Sequence, residues 1–151
     1  MTINAVRRKL RNVRNILREI TVINEQIDET IIRAESAGGF SEVFHANNGL
    51  VQSKVESYVI QILGYEQKLL NKRLALQGAV EVAEELINLL KGEKEVAMRA
   101  TLRNIYILCK TQEQTAVDLD YSYRQIQYLE WRGVKIIAQR EMAQRRLAKR
   151  K

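Results

Sequence analysis

The chain contains no proline, one cysteine, one histidine, one tryptophan and few aromatic residues of any kind. Each scarcity excludes something. Without proline, and without the β-branched and aromatic alternation of a pleated sheet, a chain rich in Leu, Ile, Val, Ala, Arg, Lys, Glu and Gln is expected to be helical throughout. A lone Cys109 excludes an internal disulfide and suits a reducing compartment. Neither His45 nor Cys109 has companions at metal-ligand spacing, so no metal or other cofactor is expected. No Ser/His/acid or Cys/His set can be assembled and no glycine-rich phosphate loop exists, which argues against an enzyme. No apolar run approaches the roughly 18 residues that cross a bilayer, and no signal peptide opens the chain. The expectation is a cytoplasmic protein of 151 residues, one domain or one module with a helical extension.

Acidic residues are absent from the first stretch of the chain and scarce in the last. Residues 1–18 carry six Arg/Lys (Arg7, Arg8, Lys9, Arg11, Arg14 and Arg18) and no acid. Residues 19–120 hold ten against sixteen acids, and residues 121–151 hold nine against two. Charge segregated in this way points to an electrostatic task at the ends, the alternative being two solvated ends without a partner. The N-terminal basic face could serve as a second phosphate contact or as a membrane-surface helix. No Trp or Phe anchors its apolar side, so no membrane partner is expected.

Periodicity predicts a first helix over 4–34, with Val6, Leu10, Val13, Leu17, Ile20, Asn24, Ile27 and Ile31 in a 4-3 seam. This seam is the candidate oligomerisation surface, with Asn24 as a register-setting polar residue. The alternative is a helix amphipathic against its own chain, with Asn24 near solvent. "ESAGGFSEVFHANNG", residues 35–49, breaks the pattern and predicts a loop, with a short helical turn at "SEVF". A second helix is predicted over 51–90, with Val55, Val59, Ile62, Leu69, Leu76, Val80, Ile87 and Leu90 as its stripe, pairing with the first as a long hairpin. Gly92 would close it as a C′ residue. A third helix over 94–110 should bury Val96 or Ala97, Ala100, Leu102, Ile105, Leu108 and Cys109. Three regions result: residues 1–91 for oligomerisation, 92–138 for a helix-turn-helix, and 139–151 as a basic tail.

The helix-turn-helix rests on residue arithmetic. Thr111 and Ser122 stand where N-caps belong. With Gln112 as position one, Ala116 falls at the close crossing, Asp120 at the turn, and Ile126 and Leu129 on the inner face of the second helix. Leu119 and Tyr121 would close the small core around the turn. Glycine is usual at such a left-handed turn; aspartate tolerates it at some cost.

Residues 111–137, and "YSYRQIQYLEWRGVKII" above all, resemble the promoter-reading C-terminal domain of bacterial primary sigma factors: a serine cap, an early arginine, and apolar Ile126 and Leu129. The wider chain is similar in pattern to sigma-like regulators of phages and prophages of Gram-positive bacteria, of the autolysin-regulator and late-operon activator type. The resemblance implies an all-α protein in which oligomerising helices precede a DNA-reading helix-turn-helix. It places Tyr123, Arg124, Gln127 and Tyr128 at base edges, where Arg can bond guanine, Gln adenine, and Tyr a thymine methyl or a phosphate. Gln125 at the margin, Arg132 and Lys135 should meet phosphates, and Arg145, Arg146, Lys149 and Arg150 of the tail should add sequence-independent affinity. Trp131 is expected to pack on the third helix, the alternative being to buttress a partner, and Glu130 to pair with a neighbouring Arg. The resulting expectation is a dimeric regulator of double-stranded DNA, with RNA polymerase as a further partner. A small-terminase-like DNA-packaging subunit and a helical adaptor without DNA are the alternatives.

Overall fold

The computed structural model describes residues 1–36 and 49–149, and among them it contains helices and no strand. The fold is all-α. Helices α1 (Ile3–Ser36) and α2 (Gly49–Ile87) form the long hairpin. A 3-10 turn (Glu93–Glu95) then leads into α3 (Val96–Leu102), a π-helical turn (Arg103–Ile107), α4 (Gln112–Leu119) and α5 (Tyr123–Ala148). His45, the "SEVF" turn and Arg150 lie outside the described residues.

Two compact units cut across the long helices: Ile16–Ala75 is one, and Met1–Asn15 with Leu76–Lys151 is the other. The boundary expected near residue 91 is therefore displaced into α1 and α2. Its cause is the apolar content of their outer turns. Val6, Leu10, Ala83, Ile87 and Leu90 are as fully buried as Leu102, Ile126 and Ile137, so the C-terminal helices share one core with the helix ends that precede them. The basic segment from residue 139 continues the helix that precedes it, since α5 runs unbroken to Ala148.

Within the unit Ile16–Ala75, α2 turns Val55, Tyr58, Ile62, Tyr65, Leu69 and Lys72 toward α1 in strict 3-4 alternation. Val59, assigned to that stripe from the sequence, is exposed instead. The inward stripe of α1 departs from the expected seam. After Val13 it continues through Ile16, Ile20, Ile23, Ile27, Thr30 and Ala34. Two successive steps of three residues, Leu10 to Val13 to Ile16, shift the stripe back by one position. Asn24 is thereby solvent-exposed, and Leu17 and Ile31 are only half-buried. The buried Thr30 hydroxyl donates to the Gln26 carbonyl at 2.7 Å, and Lys72 pairs with Glu19.

In the other unit, arginines close the ends of helices whose last carbonyls lack intrahelical partners. Arg99 donates to the carbonyls of Leu90 and, at 3.1 Å, Gly92. Arg140 donates to the Leu89 carbonyl at 2.6 Å and grips the Glu95 carboxylate through both terminal nitrogens, at 2.7 and 2.8 Å. Gly92 is not the left-handed C′ residue expected: its φ is −71° and it N-caps the 3-10 turn, with its N–H donating to Glu95 at 3.0 Å. The continuous third helix is likewise replaced by α3 and a π turn. That turn brings the neighbours Ile105 and Tyr106 inward together and leaves Leu108 more than half exposed; at the start of α3, Val96 is exposed and Ala97 half-buried. Left-handed Cys109 (φ 54°) ends it, and Arg14 donates to the carbonyls of Ile105 (3.4 Å) and Lys110 (3.2 Å). Gly133 lets α5 lie close on α3, since a Cβ there would meet Leu102 Cδ1 at 3.0 Å.

Candidate nucleic-acid interface

Both short segments after Lys110 begin with a reciprocal cap. Thr111 Oγ1 accepts from the Gln114 N–H at 3.1 Å, while Gln114 Oε1 accepts from the Thr111 N–H at 3.0 Å. Ser122 Oγ accepts from the Gln125 N–H at 3.2 Å, and Gln125 Oε1 accepts from the Ser122 N–H at 2.9 Å. Each box satisfies two backbone donors and fixes where its helix starts. Between them α4 ends at Asp120, whose φ of 57° and ψ of 42° are left-handed. The Tyr121 N–H bonds the Ala116 carbonyl (3.0 Å) and the Asp120 N–H bonds that of Val117 (3.3 Å), the two bonds of a Schellman closure. The helix-turn-helix core is Thr115, Ala116, Ile126, Val134 and Ile137, all buried. Leu119 and Leu129 are half-buried, and Tyr121 is exposed rather than enclosed at the turn.

A polar clamp sets the position of α5. Glu130 accepts from the Tyr106 hydroxyl at 2.6 Å and from Gln112 Nε2 at 2.5 Å, which ties the π turn, α4 and α5 to one carboxylate. It does not pair with an arginine as expected. Burial raises the Tyr106 pKa above the usual phenol range, and the hydrogen bond to Glu130 raises it further. The charges of Arg11 and Arg7 oppose that rise in part. No periodicity in the sequence announces this clamp, because its three residues come from three elements.

The opposite face of α5 is open. Tyr123, Tyr128 and Trp131 are each nearly half exposed, and Arg124, Gln127, Arg132 and Lys135 are exposed beside them. Trp131 is nearly half exposed rather than enclosed. Its ring lies 6.4 Å from that of Tyr128, with Lys135 Nζ 5.0 Å from the Trp131 centroid. Arg132 lies over the Tyr128 ring at 5.7 Å and donates to its hydroxyl. The aromatic faces thus orient two cations that would otherwise be free rotors. Gln125 is exposed, but its carboxamide oxygen is committed to the Ser122 cap, which leaves only its NH2 for a phosphate.

The remaining basic residues divide. Arg146 and Lys149 are exposed on the last turns of α5, whereas Arg145 bonds Glu141 at 2.8 Å. Arg8, Lys9, Arg11 and Arg18 are exposed on α1, Arg7 is half-buried, and Arg14 is occupied with carbonyls. Among the described residues no group of three or more His, Cys, Asp or Glu could hold a metal, and no helix is long and apolar enough to cross a membrane. Comparison with family models, with curated proteins and with solved structures gives no match for this chain.

Proposed function

We propose that the protein is a sequence-specific double-stranded DNA-binding transcription regulator, of the phage or prophage sigma-like kind that its C-terminal segment resembles. One observation carries this reading: a capped helix, entered through a left-handed turn and held from behind by Glu130, presents Tyr123, Arg124, Gln127 and Tyr128 on its open face. Those residue types match the donor and acceptor pattern of base edges in the major groove. Arg132 and Lys135, oriented by Tyr128 and Trp131, are the phosphate contacts of the same face, and Arg146 and Lys149 extend it.

Fluorescence anisotropy on fragments of the source genome tests the reading. Wild type should select one short site, and Arg124→Ala should lose roughly 1–3 kcal/mol on that site with relaxed specificity. Lys149→Ala should weaken all fragments alike and flatten the salt dependence. Equal, weak, salt-sensitive binding by wild type and Arg124→Ala would limit DNA contact to the basic ends, and no binding would remove DNA from the reading.

A further inference from the structure

Helix α2 carries a second apolar stripe that the described residues leave uncovered. Ile60, Leu63, Leu70 and Leu74 are 69, 58, 51 and 61% exposed. With Gln67 they fall at steps of three, four, three and four residues, all within the unit Ile16–Ala75. This is a heptad seam distinct from the one α2 turns toward α1. Solubility does not explain it, because isolated exposed leucines are ordinary but a continuous strip on the order of 400 Å² is not. Gly64 lies at the edge of the strip, and a Cβ on it would meet nothing within 4 Å. A glycine in a helix interior costs roughly 0.5–1 kcal/mol relative to alanine, and no packing among the described residues compensates it.

We infer that this stripe is the surface on which a second copy of the chain docks, α2 against α2, in parallel and in register. The composition selects that partner. In a parallel pair each seam residue meets itself, so Ile60 and Leu74 occupy a positions and Leu63 and Leu70 occupy d positions. Isoleucine at a with leucine at d favours two strands, and a single polar a residue, here Gln67, fixes the register. An antiparallel coiled coil would instead set Gln67 against a leucine and strand its amide. In that register the g residue Glu66 faces Asn71 and the g residue Arg73 faces Gly78, so no like charge meets across the seam. The flanking Gly64 allows the two backbones to approach. Two such strips with their flanking stems cover roughly 1,000 Å², the size at which a specific interface begins. The expected seam on α1 is not available for this purpose, since Val6, Leu10 and Val13 are spent inside the chain.

The proposal concerns assembly without DNA, so it stands or falls separately from the regulator reading. Analytical ultracentrifugation of the full chain should give a dimer, and Leu63→Glu with Leu70→Glu should give a folded monomer of unchanged helical circular dichroism. An Ile60→Cys chain that also carries Cys109→Ser should form an interchain disulfide on oxidation, which requires no loss of fold and which only the parallel register permits. A wild-type monomer, a dimer that survives the two glutamates, or a higher oligomer would overturn the proposal. A dimer whose Ile60→Cys chains fail to cross-link would overturn the parallel register.

Discussion

Replacing Tyr106 by phenylalanine removes one oxygen and tests the clamp that positions α5. The hydroxyl donates to a carboxylate at 2.6 Å from a side chain that is 4% exposed. Hydrogen bonds to charged groups contribute about 1.5–3 kcal/mol net. Glu130 keeps Gln112 and reaches solvent, so the lower end, about 1.5 kcal/mol at pH 7, is expected. Alkaline pH gives a second, independent signature. The folded Tyr106 holds its proton after the unfolded chain has released it near pH ~10. Its contribution is therefore complete below that pH and is lost as pH rises beyond it, by up to about 1.4 kcal/mol per unit. The phenylalanine variant has no such proton, whereas the other tyrosines and the lysines titrate alike in both proteins. Urea unfolding followed by circular dichroism should thus show a gap at pH 7 that closes by roughly pH 11. Equal stability at pH 7, or a gap that persists at high pH, would refute the clamp.

Other expectations follow from single positions. Asp120→Gly should raise stability by about 0.5–1 kcal/mol, since the left-handed turn strains any side chain; a lower melting temperature would contradict it. Gly133→Val should cost about 2 kcal/mol in chemical denaturation, because its Cβ meets the wholly buried Leu102, whereas Gly78→Ala, with open space around the new methyl, should gain roughly 0.5–1 kcal/mol. The Arg140 hydrogen bond, then the Gly92 N–H, hold the Glu95 carboxyl below its usual pKa. That contribution is present above about pH 4.3 and lost as acid protonates the folded group, so Glu95→Gln should flatten acid unfolding below that pH.

The helix-turn-helix was legible because its signals are local. Thr111, Ser122, Ala116, Asp120 and Ile126 each act within a few residues, and each stands as the spacing predicts. The stripe of α1 was not, because Leu17, Ile20, Asn24, Ile27 and Ile31 satisfy a 4-3 pattern about as well as Ile16, Ile20, Ile23, Ile27, Thr30 and Ala34 do. Only the partner helix chooses between them. Helix α2 misled for a related reason: two apolar stripes on one helix blur any single period, so Val59 was drawn into the wrong one. Glu130 was misassigned because its surroundings come from residues up to 24 positions away, as in the bond from Tyr106. The π turn leaves no mark in the sequence, since a residue inserted into a helix looks like any other.

The three arginines that close helix ends have a consequence for how this chain tolerates change. Arg14 spans two carbonyls, Arg99 spans two more, and Arg140 bridges a carbonyl and a carboxylate. Arg140 uses both arms of the planar guanidinium fork, which a lysine ammonium cannot reproduce, whereas Arg14 and Arg99 each donate both bonds from one nitrogen. Exchange to lysine, which conserves every charge, should therefore be damaging at position 140 and nearly silent at 146. The basic residues of one chain form two populations, one replaceable by any cation and one defined by shape.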